Sequence, residues 1–134
     1  MNALHRAVMT VTFGKLGWRA GPMPVVELTT TGRKSGQPRT VLLTSPVQEG
    51  DTWVLVASRG GDDHHPAWFL NIQADPNVEA RRGGRSRKRM RARVATPEER
   101  ARLWPRVTAT YKGYANYQRK TEREIPLVLL EPAP

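Results

Sequence analysis

Two short β-type runs, each emptying into a glycine-rich cationic loop, constrain this chain more than any other feature. Val25-Val26-Glu27-Leu28-Thr29-Thr30-Thr31 leads into Gly32-Arg33-Lys34-Ser35-Gly36-Gln37-Pro38-Arg39, and Thr52-Trp53-Val54-Leu55-Val56-Ala57 leads into Ser58-Arg59-Gly60-Gly61. Runs of β-branched and aromatic residues of this length form strands. Glycines permit close backbone approach and left-handed turns, so two such loops facing one cleft would make an anion site. Lys34, Arg39 and Arg59 supply charge, hydroxyls and free N–H groups supply donors, and phosphate is the natural guest. Taken alone, Gly-Arg-Lys-Ser-Gly is also a common hairpin turn, and a solvated basic turn explains Arg33 equally well. It is not a Walker loop, whose four-residue spacer before Gly-Lys-Ser/Thr is missing.

A chain of 134 residues with 38% apolar content is expected to fold as a single domain over residues 1–134. No run reaches the length of a membrane span and no signal-peptide core opens the chain, so a cytoplasmic protein is expected. The absence of cysteine excludes disulfides, thiolate catalysis and cysteine-bound metals. A formal charge of +10 calls for an anionic partner: nucleic acid, a membrane surface or a polyanionic ligand.

Leu4, Ala7, Val8 and Val11 recur at helical spacing, which predicts an amphipathic helix at about residues 3–16. With Lys15, Trp18 and Arg19 beside it, the helix could make peripheral contact with the anionic inner face of a membrane, although packing on its own domain is the simpler reading. After the Lys34 turn, residues 39–47 read as a return strand and residues 48–51 as a hairpin loop, giving an antiparallel meander with the Trp53 strand. Pro66-Ala67-Trp68-Phe69-Leu70-Asn71-Ile72 suits a short packed helix. The neighbouring Asp62-Asp63-His64-His65 lacks further ligands at useful spacing, so no metal is expected and the histidines read as loop and cap residues.

Residues 78–82, Gly83-Gly84 and residues 85–94 read as a hairpin, with Arg85, Arg87, Arg89, Arg91 and Arg93 on alternate positions. No aromatic side chains interleave these arginines to stack on bases, so no specific nucleic-acid partner is expected. A charge-protected edge strand is the favoured reading, and an extension of the ligand's anion site is a third. Thr96-Pro97-Glu98-Glu99 has the pattern of a capped helix start. Tyr111, Tyr114 and Tyr117 would share one face if their segment is helical, and core packing accounts for one or two of them. Pro126 suits the start of a final strand.

Taken in order, the block from Leu28 through Arg39, Ala57-Ser58-Arg59-Gly60-Gly61, Pro66-Ala67-Trp68-Phe69-Leu70-Asn71, Glu98-Glu99-Arg100 with Trp104-Pro105, and Tyr111 through Tyr117 before Ile125-Pro126 resemble the deazaflavin-dependent nitroreductase family. The resemblance spans roughly residues 20–132. It implies a mainly β fold with flanking helices, a split β-barrel of the flavin-mononucleotide-binding oxidase type, and the cofactor F420, a deazaflavin with a phospholactyl and oligoglutamate tail. Carried over by position, it implies that Lys34, Ser35, Arg39, Ala57, Ser58, Arg59, Gly60 and Gly61 contact the tail and phosphate, and that Pro66, Trp68 and Asn71 line the deazaflavin pocket. Tyr111, Tyr114 and Tyr117 would border the substrate.

The implied reaction is hydride transfer from reduced F420 to an electron-poor planar small molecule such as a quinone, enone or nitroaromatic, with Tyr114, or solvent beside it, as the proton donor. Family members often carry lysine where Arg59 stands, and Leu42 and Thr44 replace a proline and a tyrosine of one nitroreductase. The alternatives are a flavin-mononucleotide- or haem-binding relative with the same barrel, or a non-catalytic basic module for nucleic acid or membrane surfaces. The sequence leaves the physiological substrate and oligomeric state open.

Overall fold

Hydrogen bonding between the first two long strands sets the frame. A computed structural model describes residues 19–20 and 23–134; the helix expected at 3–16 lies outside the described residues. Strand β1 (Arg19–Ala20) leads into β2 (Met23–Thr31), which pairs antiparallel with β3 (Pro38–Thr44) from Val25↔Thr44 to Thr31↔Pro38. β4 (Val47–Glu49), β5 (Thr52–Val56), β6 (Asn77–Arg82), β7 (Lys88–Val94) and β8 (Leu127–Pro132) complete an antiparallel sheet. Its order is β1-β2-β6-β7-β8-β5-β4, with β3 joining β2 outside this path. Helices α1 (Ala67–Ala74), α2 (Pro97–Thr110) and α3 (Gly113–Arg119) flank it. The architecture is the expected split β-barrel.

The sheet buries both faces, which explains why β5 and β8 are continuous apolar runs rather than alternating ones. Trp53, Leu55, Val128 and Leu130 face one cluster with Trp68, Phe69 and Ile72 of α1. Val54, Val56, Leu127 and Leu129 face the other, with Leu103 and Val107 of α2 and Tyr114 of α3.

Two expectations need correction. The meander does not form: the chain breaks at Ser45-Pro46, β3 ends at Thr44, and β4 is a separate strand paired with β5. Proline supplies no ladder donor, and the buried Ser45 hydroxyl shares its one proton between the carbonyls of Val47 (3.0 Å) and Val54 (2.8 Å), fixing the step between the two strands. Nor is the arginine-rich strand an edge. β7 pairs with β6 and with β8, and it begins only at Lys88, so Arg85 and Arg87 lie in the connecting loop. Carboxylates, rather than edge protection, account for part of the ladder: Glu27 accepts from Arg87 (3.1 Å) and from Arg81 (3.2 Å), while Glu99 and Glu131 both grip Arg93.

The expected start of α2 is present. The Thr96 hydroxyl accepts from Glu99 N–H (3.2 Å), and the Glu99 carboxylate accepts from Thr96 N–H (2.9 Å), with Pro97 in the first turn. Arg93 first, then the Thr96 N–H, holds the Glu99 carboxyl down at about 2, against 4.5 for a free glutamate. Because the folded value is depressed, the contribution is complete above pH 4.5 and is lost as pH falls toward 2. The Arg93 side chain is 40% exposed, so screening leaves about 1 kcal/mol. Thermal unfolding followed between pH 6 and 2.5 is expected to show this loss, and Glu99→Gln to show a shallower one.

Candidate functional site

The turn between β2 and β3 folds on its own atoms and then locks onto α1. Gly32 N–H donates to the Gln37 carbonyl and Gly36 N–H to the Gly32 carbonyl, both at 2.8 Å. A Cβ at Gly32 would lie 2.7 Å from Ser35 Oγ, so any larger residue there would push the Ser35 hydroxyl off its turn contacts. The Ser35 hydroxyl accepts from Gln37 N–H (3.1 Å) and from the Arg39 guanidinium (3.2 Å). Asn71, only 4% exposed on α1, accepts from the Arg33 backbone N–H and from its guanidinium, each at 3.1 Å. Its amide donates to Thr30 Oγ1 (3.1 Å). One buried amide thus fixes the cationic turn against the helix.

The loop after β5 is shaped by unusual backbone angles. Arg59, Gly60 and Gly61 form a single 3-10 turn with φ of +47°, +66° and +84°. For Arg59 this left-handed conformation costs about 1–2 kcal/mol. Arg123, in the loop after α3, holds the turn in place. Its guanidinium donates to the carbonyls of Asp62 (2.8 Å), Ser58 (2.8 Å) and Ala57 (3.2 Å), and contacts His65 Nδ1 at 3.1 Å.

These two loops face a cleft of about 710 Å³. Arg33, Lys34 and Arg39 line it from one side and Arg59 from the other, together with Ser35, His64 and His65. Val41, Pro66, Trp68 and Leu70 supply its apolar wall, and no carboxylate is among the described lining residues. Seven of the expected cofactor residues therefore meet at one place: Lys34, Ser35, Arg39, Arg59, Pro66, Trp68 and Asn71. Ala57, Ser58, Gly60 and Gly61 are not part of the lining. Ala57 and Ser58 offer carbonyls to Arg123, and Gly61 packs against the backbone of Tyr117 in α3.

Sequence reasoning left out Arg33, which the cleft shares with Asn71, and treated His64 and His65 as loop residues. It also missed Arg123, whose partners lie 58 to 66 positions away; no local signal marks it.

The three tyrosines gather, with ring centroids 5.1 to 6.3 Å apart, although a break between Tyr111 and Gly113 keeps them off one helix. Tyr114 and Tyr117 stand on α3, while Tyr111 caps the end of α2. None is among the residues lining the cleft. The Tyr114 ring is 6% exposed, and its hydroxyl meets Thr44 Oγ1 (3.0 Å) and Met23 Sδ (3.8 Å). Burial pushes the Tyr114 phenol above its usual pKa, and a hydrogen bond with Tyr111 does the same for Tyr117. The cluster and the cleft draw on two common elements: β3, which carries Arg39 and Val41 toward the cleft and Thr44 on its other face, and the 3-10 turn, whose Arg59 lines the cleft and whose Gly61 packs on Tyr117.

A cation-rich cleft with an apolar wall on a split β-barrel suits a ligand that is both anionic and partly flat and apolar. Residues 3–132 match the F420H(2)-dependent quinone reductase family, and the chain belongs to it. An F420H(2)-dependent quinone reductase of Mycobacterium tuberculosis strain H37Rv is 41% identical over 131 residues, covering 95% of this chain and 87% of that protein. A solved F420-H2 dependent reductase is also 41% identical, with a TM-score of 0.72 over 81% of this chain and 94% of its own. A second solved chain, described as a domain-swapped dimer, is 36% identical, with a TM-score of 0.73 over 96% of this chain and 100% of its own. Solved structures at 11% and 15% identity, with TM-scores of 0.58 and 0.55, share the fold alone.

Proposed function

We propose that the chain oxidises F420H2 with a quinone, holding the cofactor's anionic tail in the cleft and the quinone beside the tyrosines. Family membership carries the cofactor and the reaction class. The observation that carries the placement is the convergence of Arg33, Lys34, Arg39 and Arg59 on one cavity whose described lining holds no acid.

The residues fit that cofactor. Four cationic groups exceed what a single phosphate needs and suit a phosphate followed by carboxylates. Asn71 and Arg123 keep both loops in place before any ligand arrives, which lowers the entropy cost of binding. Val41, Pro66, Trp68 and Leu70 give the ring system an apolar wall and keep water from that side. F420H2 bound in this way supplies the hydride, and the protein supplies position and a route for the proton. The Tyr114 phenol stays protonated at working pH, and its hydroxyl is shared with Thr44, so it braces the pocket. Tyr111, 40% exposed, stands closest to solvent of the three, so water beside it is the proton source this reading favours.

Mixing chain, F420H2 and a quinone without oxygen tests the reading: F420 fluorescence should return as the quinone is reduced in equal amount. No acceleration over the uncatalysed mixture would contradict it. In the same assay Tyr114→Phe is expected to keep F420 affinity, lose about 1 kcal/mol of stability and turn over within about threefold of the parent. A hundredfold fall would make Tyr114 the proton donor. Among the described residues no helix is long and apolar enough to cross a membrane.

A further inference from the structure

His65 is the one cleft residue whose ring geometry specifies a protonation state. We propose that His65 is a ligand-binding residue, donating its Nε2–H to an oxygen of the F420 tail, with Arg123 fixing the tautomer. The inference rests on the functional reading above and deepens it.

The contact between Arg123 Nη1 and His65 Nδ1 is 3.1 Å. A guanidinium has donors only, so Nδ1 must present its lone pair, and the ring proton of a neutral imidazole then sits on Nε2. The same guanidinium is anchored by three backbone carbonyls, at Ala57, Ser58 and Asp62, so it does not turn away to release the ring. The imidazole is further pinned against Phe69, with centroids 4.7 Å apart and planes inclined at 42°. Among the described residues the ring makes no second hydrogen bond, and His65 lines the cleft together with Arg59 and Pro66. Protonation is disfavoured by burial first and by the Arg123 charge second. The result is a fixed, uncharged N–H donor beside four cationic groups.

Uncharged donors behave differently from the cations around them. Removing one loses a hydrogen bond and leaves the salt dependence of anion binding intact, whereas removing a lysine or arginine flattens it. Two substitutions separate the donor from the Arg123 contact. Glutamine places an amide N–H near the Nε2 position. Asparagine reaches only the Nδ1 position, where it can still accept from Arg123.

The experiment is a fluorescence titration with F420 on the full chain, at two salt concentrations, together with nitrogen-resolved NMR of the His65 ring. The ligand-free ring is expected as the Nε2–H tautomer, with its Nε2 signal moving when F420 is added. His65→Gln should bind within about threefold of the parent, and His65→Asn about tenfold more weakly, with an unchanged salt slope and a melting temperature matching that of His65→Gln. A proton on Nδ1, or His65→Asn binding as well as the parent, overturns the role of His65 and leaves the F420 site standing. Failure of the parent itself to bind F420 overturns both.

Discussion

Alanine at both Lys34 and Arg59 is expected to weaken F420 binding by about thirtyfold to twenty-thousandfold, the largest affinity loss in the molecule. Each side chain lines the cleft from a different loop and is exposed in the free protein. A charge-assisted hydrogen bond to a partly desolvated anion is worth about 1–3 kcal/mol, and the two sites are independent enough to add. Asn71 secures the first turn and Arg123 the second, and Arg59 adds only an exposed contact with Asp62 at 3.9 Å. The double variant should therefore melt near the parent temperature. Its affinity should also respond less to salt, and the deficit should shrink for a cofactor lacking its glutamates. Equal deficits for both cofactors would move Lys34 and Arg59 to the phosphate.

A single methyl group at Gly61 is expected to have the largest effect on the fold around the site. Gly61 has φ +84°, and a Cβ there would lie 2.6 Å from Tyr117 O and 2.9 Å from Tyr117 Cα. Both are backbone atoms of α3 and cannot rotate aside, so the turn and the tyrosine helix must separate. Gly61→Ala should cost about 2–4 kcal/mol and reduce turnover together with F420 affinity. Gly60→Ala is the control. Its φ is also positive, at +66°, but a Cβ there would meet nothing within 4 Å, so only the backbone cost of about 1 kcal/mol is expected. Thermal melting of the two variants separates the contact from the conformation. Equal losses would show that α3 does not lean on the turn.

Local features of this chain were legible in its sequence. The Thr31–Pro38 hairpin, the Thr96 capping box and the short helix after Pro66 depend on residues a few positions apart, and each lies where the sequence predicts it. The family motifs pointed to the barrel, and seven of the residues they suggest for the cofactor line one cleft. Long-range pairing was not legible. The arginine alternation of β7 suggests an exposed edge, yet β8, some 35 residues on, covers that edge and supplies Glu131 to Arg93. Ser45-Pro46 looks like the interior of a strand until the buried serine hydroxyl is seen bridging two carbonyls. Arg123 and His65 illustrate the same limit within the site: the guanidinium reaches the loop from 58 positions away, and only the folded chain assigns the imidazole a role.

On the proposed function, this cleft takes F420 in preference to a flavin carrying one phosphate. The direct measurement is F420 fluorescence on titration of the full chain, repeated with flavin mononucleotide as competitor at constant ionic strength. Saturable F420 binding that rising salt weakens, with little displacement by flavin mononucleotide, is the result predicted by four cations in an acid-free lining. Tighter binding of flavin mononucleotide, or F420 binding indifferent to salt and to the Lys34 and Arg59 substitutions, would contradict it.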